Sequence, residues 1–199
     1  MGEIYFTSDL HIGHDKDFLW GPRGFSSSKE HDEAIIENWN KTIHKNDIVY
    51  VLGDLMMGSN HQYALDCFSS LNGKIAFALG NHDTINKANV YNQCTTFDQL
   101  ALMDGNMYAN IIKSGKWSFY ISHYPTMLAD LFAGKKEPRL ICLHGHTHSK
   151  DKFQYLQHCC YNVALDAHNN MPVNIETIKN DLSEKIRTLR DDFQKANKE

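Results

Sequence analysis

The chain has 199 residues, 42% of them hydrophobic and 22% charged, and a formal net charge of −4. That length suits one domain with a sizeable core, the composition is that of an ordinary globular protein, and the acidic balance argues against a broad nucleic-acid-binding surface while leaving room for a local basic groove. No apolar run approaches the roughly 18 residues of a membrane-spanning helix, and the N-terminus runs straight into a strand rather than a leader, so the expected location is cytoplasmic.

Gly2 to Ser8 reads as a short strand built on Ile4-Tyr5-Phe6. Leu10 to Phe25 holds Gly13, Gly21, Pro22 and Gly24 and is too punctuated for a helix. Ser27 with Glu30 three residues on is a capping box, and the helix behind it spaces Ala34, Ile35 and Trp39 at helical intervals before ending near His44. After the turn Lys45-Asn46-Asp47, Ile48 to Leu52 is an unbroken apolar strand, as expected where helices cover both faces. A helix fits His61 to Leu71, stopped by Asn72-Gly73. Lys74 to Leu79 is the next strand and Thr84 to Tyr91 the next helix. Met107 to Ile112 and Trp117 to Ser122 bracket Ser114-Gly115 as a hairpin. Leu140 to Leu143 is a strand, and Tyr155 to Leu165 holds at least one more. Beyond Pro172, Ile178, Leu182, Ile186, Leu189 and Phe193 recur at three- and four-residue spacing. That predicts one amphipathic helix over about residues 175–197, either packed outside the sheet or used for dimerisation, so the chain is expected as monomer or homodimer. There are no repeats or linkers, and residues 1–199 are expected to form a single domain.

Five short pieces stand where hydrophobic runs stop: Asp9-Leu10-His11, Gly53-Asp54, Gly80-Asn81-His82-Asp83, Ser122-His123 and Gly145-His146-Thr147-His148. Ligands at the carboxyl ends of strands converge on one sheet edge, where open α/β folds bind. Imidazole and carboxylate suit Zn, Mn, Fe and Ni. A neutral Asn oxygen completes a shell without adding charge. Two divalent ions roughly 3.5–4 Å apart can hold a phosphate between them, and a carboxylate is needed to offset their repulsion. Seven of the twelve histidines, at 11, 14, 82, 123, 144, 146 and 148, fall in these pieces or beside them. The five cysteines, at 67, 94, 142, 159 and 160, form no C-x-x-C pair and are odd in number. They read as reduced, partly buried thiols.

In that order the pieces resemble the calcineurin-like metallophosphoesterase superfamily, from about Asp9 to His148, with every ligand position filled. His11-Ile12-Gly13-His14, Trp39-Asn40 and Asn162-Val163 are similar to features of a small bacterial and phage-type branch of predicted phosphoesterases. The resemblance implies an α/β fold, a two-sheet sandwich flanked by helices in four α/β/β/α layers, which periodicity alone would not separate from a doubly wound single sheet. It implies two divalent metal ions per chain, Mn, Fe, Zn or Ni. Asp9, His11 and His148 would hold the first, Asn81, His123 and His146 the second, and Asp54 would bridge them. His82 would protonate the leaving group, with Asp83 orienting it. The implied activity is hydrolysis of a phosphate mono- or diester by a metal-bridging hydroxide.

Arg23, in its Gly- and Pro-rich loop, is a candidate for gripping phosphate oxygens or a solvated arginine. His14 and His144 are candidates for the substrate pocket or for orienting a ligand, or ordinary loop residues. His168 reads as surface. A small phosphodiester or nucleotide is the expected substrate. A nuclease is the alternative, but Lys135-Lys136, Arg139 and the basic residues of the last helix form no basic block. A non-catalytic interaction module should have lost ligands, and none is lost.

Overall fold

The computed structural model describes residues 2–94, 109–132 and 138–196. Among these, eight strands form two four-stranded sheets. The first runs β3 (Lys74–Ala78), β2 (Ile48–Leu52), β1 (Ile4–Thr7), β8 (Val173–Asn174). Its first three strands are parallel, with Ile4 opposite Ile48 and Ile48 opposite Lys74, and β8 closes it antiparallel to β1. The second runs β4 (Ala109–Ser114), β5 (Trp117–Ser122), β6 (Leu140–His144), β7 (Cys160–Asn162). The β4–β5 hairpin is antiparallel and the remaining pairs are parallel. The expected two-sheet sandwich flanked by helices is therefore the observed architecture. Met107 and Tyr108 at the start of the expected hairpin, and Lys135 and Lys136, lie outside the described residues.

Helix α2 (Ser28–Thr42) starts where Ser27 Oγ accepts the Glu30 amide, and Glu30 reaches back to the Ser26 amide. Asn60 caps α3 (His61–Ser69) and Thr84 caps α4 (Ile85–Tyr91) in the same way. The stretch expected as pure loop contains one helical turn, α1 (Asp17–Trp20). It forms because the Gly21 amide closes on Asp17 O and Leu19 is buried, and it stops because Pro22 has no amide to extend it. Helix α5 (Ile175–Ala196) matches the amphipathic pattern.

Side chains alternate between two cores. Tyr5, Val49, Val51, Ile75 and Phe77 face α2, α3 and α4, where Ile35, Trp39 and Phe68 meet them. Phe6, Leu52 and Ala78 face the second sheet with Phe119, Ile121, Ile141 and Leu143, and α5 adds Ile178, Leu182 and Ile186 to this core. Each such buried side chain contributes about 1.5–3 kcal/mol. The five cysteines are free and buried. Among the described residues no helix is long and apolar enough to cross a membrane.

Pairing continues past the strand ends. The amides of Asp9, His11 and Ile12 donate to the carbonyls of Gly53, Asp54 and Leu55, so the loops after β1 and β2 run on as a ladder. The Gly145 amide donates to His123 O, and the Leu165 amide to Ser8 O, which ties the two sheets together. The ligand-bearing loops are thus extensions of the sheets.

Candidate metal centre

Strand β1 delivers Asp9 and His11, β2 delivers Asp54, β3 delivers Asn81 and His82, β5 delivers His123, and β6 delivers His146 and His148. Five of these bend back sharply: Asp9, His11, Asp54, His146 and His148 have φ of 60°, 50°, 56°, 68° and 49°. This is left-handed backbone, sparsely populated outside glycine and costing on the order of 1–3 kcal/mol per residue. Asp and His tolerate it better than most, but five in one cleft is strain gathered at one place. Two glycines make the room. A Cβ at Gly80 would strike Asp54 Oδ1, and one at Gly145 would strike Ser8 Oγ and Asp9 Oδ2.

The donor atoms converge. His11 Nε2 lies 3.2 Å from His148 Nε2, 3.8 Å from Asp9 Oδ1 and 3.7 Å from Asp54 Oδ2. His148 Nε2 lies 3.6 Å from Asp9 Oδ1. His123 Nε2 lies 3.5 Å from Asp54 Oδ2 and 2.8 Å from Asn81 Oδ1, which is 2.9 Å from His146 Nδ1. Asp54 Oδ2 therefore faces both groups. Asp9, His11 and His148 form one candidate cation site, and Asp9, Asp54 and His123 another.

Hydrogen bonding fixes which ring nitrogens face inward unprotonated. His123 Nδ1 is 2.8 Å from Leu52 O, a group that only accepts, so the proton is on Nδ1 and Nε2 offers a lone pair. His148 Nδ1 is 3.1 Å from the Asp166 carboxylate and is fixed likewise. Lone pairs on His123 Nε2, Asn81 Oδ1 and Asp54 Oδ2 thus point at one another. That contact is repulsive unless a cation stands among them, and the nitrogen–oxygen donor set fits Mn, Fe, Zn or Ni.

The electrostatics agree for two of the rings, whereas at His148 burial is outweighed by Asp166 and Asp9, which raise the pKa. Burial, then the charges of His148 and Arg23, lower the His11 pKa well below 6.5. Burial and the neighbouring His123 lower that of His146. Both rings are kept in the form that binds metal. Burial chiefly raises Asp54, and Asp9 and Asp83 add to it against the opposing pull of His123 and the His82 amide. A carboxylate crowded by carboxylates gains most from a bound cation.

Two expected roles change. Arg23 does not reach into the cleft: its guanidinium, 1% exposed, donates to both Asp166 oxygens at 3.1 and 2.7 Å, to Asp9 O at 2.8 Å and to His31 Nε2 at 2.9 Å. Those donors are engaged inside the protein, on Asp166, Asp9 and His31. Asp83 does not orient His82. Its carboxylate accepts the amides of Asp54, Leu55 and Gly80 and the Tyr91 hydroxyl, pinning the turn that carries Asp54. The His82 ring is exposed, 5.6 Å from the His11 ring, and its backbone is held by its own amide to Asp54 Oδ1 and by Lys87 Nζ to its carbonyl.

His14 packs edge-on to His11, and its Nδ1 accepts the Lys16 amide. His144 is buried beneath the centre with Nδ1 bonded to Gly145 O. His168 is not a surface residue in its bonding: Nε2 donates to Asn162 O. Asn162 in turn donates to Ser149 O and accepts the Ala164 amide, clamping the His146–His148 loop.

Sequence reasoning missed Asp166 and what lies behind it. Arg23 donates to His31 Nε2, so His31 Nδ1 carries its proton and donates to Asp32 Oδ1 at 2.8 Å. Asp32 Oδ2 accepts the Gly13 amide and the Tyr63 hydroxyl. A buried chain thus runs from His148 through Asp166, Arg23, His31 and Asp32 to α3. Its two halves, Arg23–His31–Asp32 and His148–Asp166, are 143 residues apart at the Arg23–Asp166 junction, and the one local signal is that Asp166 closes a run ending in Val163-Ala164-Leu165.

Two helix-flanked mixed sheets, with Asp, His and Asn gathered where both end, have the layout of a metallophosphoesterase. The chain belongs to the calcineurin-like phosphoesterase family, whose sequence profile matches residues 2–194. It is 30% identical to an uncharacterized protein of Methanocaldococcus jannaschii over 200 residues, 96% of this chain and 98% of that one. It is 31% identical to the gene 66 protein of Mycobacterium phage D29 over 176 residues, 75% of this chain and 80% of that one. A solved structure of a protein of unknown function from Aquifex aeolicus shares the fold, with a TM-score of 0.62 at 21% identity over 90% of this chain and 99% of that one.

Proposed function

We propose that this protein is a phosphoester hydrolase that uses two divalent cations, with small phosphodiesters or nucleotides as substrates. The observation that carries the reading is the set of inward-facing lone pairs on His123, Asn81, His148 and Asp54, which asks for cations. Asp9, His11 and His148 would hold the first, Asn81, His123 and His146 the second, and Asp54, whose Oδ2 faces both groups, would be shared. When bound, the pair clamps the phosphate and lowers the pKa of coordinated water toward neutrality.

The chain supplies the rest. Asp83 keeps Asp54 centred through three backbone amides. His82, exposed at the rim, gives a proton to the departing oxygen, a contribution of typically 10²–10⁴-fold. His14 accepts at Nδ1 and so carries its proton on Nε2, available to a phosphate oxygen. The net charge of −4 gives a long polyanion little to hold beyond the cations, which favours small esters over nucleic acid.

Metal analysis and a hydrolysis screen test this. The expected result is two metals per chain, with hydrolysis of bis(p-nitrophenyl) phosphate abolished by chelation and restored by Mn, Fe, Zn or Ni. Fewer than two metals, with no turnover of any monoester, diester or nucleotide, overturns it.

A further inference from the structure

The ligand row is flanked at its two ends by exposed aromatic side chains that neither core uses. Phe18, on the single turn α1, is 71% exposed although its neighbour Leu19 is buried. Its ring meets the His14 ring edge-on at 5.2 Å, and His14 meets His11 at 5.8 Å. At the other end Tyr124, 50% exposed, lies 4.7 Å from the His146 ring and 5.1 Å from the His123 ring. Its loop is tied down, since Tyr124 O accepts Ser122 Oγ at 2.7 Å. A single exposed aromatic is ordinary. Here there are two: Tyr124 lies directly against the second ligand set, and Phe18 reaches the first through His14.

We propose that Tyr124 and Phe18 are stacking platforms, and that the substrate class is the nucleoside phosphodiesters. This rests on the hydrolase reading above. Every base has a π-face, so aromatic platforms bind nucleosides without basic side chains, which suits a chain of net charge −4. The two platforms have different duties. The His82 and His14 rings both meet the ring of His11, which belongs to the first ligand set, and His14 carries Phe18. The proton donor must adjoin the leaving oxygen, so the leaving group lies toward Phe18. The ester group that stays on phosphorus lies over Tyr124.

Two esters with one leaving group separate these duties: thymidine 5′-(p-nitrophenyl phosphate) and methyl p-nitrophenyl phosphate, both with metal-loaded protein. The wild type should prefer the thymidine ester in kcat/KM. Tyr124→Ala should cut that preference roughly tenfold, and Tyr124→Phe, which keeps the ring, should retain it. Phe18→Ala should slow both esters by a common factor and leave the preference intact. Hydrolysis of both esters with no thymidine preference, or an equal loss on both in Tyr124→Ala as for a structural or protein-docking residue, overturns this proposal alone. Hydrolysis of neither ester by the wild type overturns the hydrolase reading and this proposal with it.

Discussion

Behind His148 stands a chain of polar and charged side chains, whereas His146 has the exposed ring of Tyr124 beside it. His148 is bonded to Asp166, which Arg23 grips with two donors, and Arg23 is backed by His31 and Asp32. The second ligand set leans on less. His123 is held by the Leu52 carbonyl and the His146 amide by Asp9, while Asn81 is exposed with its Oδ1 toward His123 and His146. Ligand atoms fixed before a cation arrives lose little freedom when it binds, and outer hydrogen bonds of this kind are typically worth about 10–100-fold in affinity. On the proposed two-cation reading the sites should therefore be unequal: the first should bind its metal more tightly, and chelation should empty the second before it.

The largest effect should come from removing the carboxylate that both sets share. Asp54→Ala leaves two cations facing each other unshielded, so the pair and the turnover should be lost. Two metals per chain at unchanged affinity in that variant would refute the bridging role. His82→Ala spares both sets. It should keep two metals and slow an ester with an alkoxide leaving group by about 10²–10⁴-fold, with little loss on a nitrophenolate ester that departs without a proton. Loss of a metal, or equal loss on both esters, counts against the assignment.

Asp166→Asn sharpens the comparison. Affinity at the first site should fall about 10–100-fold while the second is unmoved, as followed by competition with a chromophoric chelator. Equal weakening at both sites would erase the asymmetry. The smallest effect is a pH dependence in metal-free protein. Burial lowers the His148 pKa, but Asp166 and Asp9 outweigh it and hold it above 6.5. Burial raises the Asp166 pKa, but His148 and Arg23 outweigh it and hold it well below 3.8. A raised histidine gives its full stability below the unfolded value and loses it as pH rises through the folded one. A depressed carboxylate gives its stability above the unfolded value and loses it as pH falls through the folded one. The pair thus stabilises most between 3.8 and 6.5. In that window wild-type protein should melt a few degrees above Asp166→Asn, with the gap narrowing, but not closing, as His148 loses its charge at higher pH, because Arg23 still pairs with Asp166. A gap independent of pH would deny the pair its charge.

The convergence of the Asp, His and Asn side chains was legible in the sequence because each sits beside a strand end, a local feature that apolar runs and Gly punctuation announce. Capping by Ser27 was legible for the same reason. What positions the ligands was not. Arg23 and Asp166 stand 143 residues apart, and no local period marks a pair that only the closed sandwich joins. Arg23 in a loop looked free to grip phosphate because a loop position says nothing of burial. Asp83 looked aimed at its neighbour His82, but the turn after β3 carries it under Asp54, 29 residues away. Strand β8, two residues long, was below what alternation can reveal.

The left-handed backbone at Asp9, His11, Asp54, His146 and His148 also shapes how such a protein can decay. Replacing one of these by Ala discards the ligand and keeps the strain. Replacing it by Gly discards both, because glycine adopts positive φ freely. A lineage released from catalysis therefore runs downhill in stability toward glycine at these five positions. Glycines there, on an otherwise intact sandwich, would be the fossil of a retired enzyme.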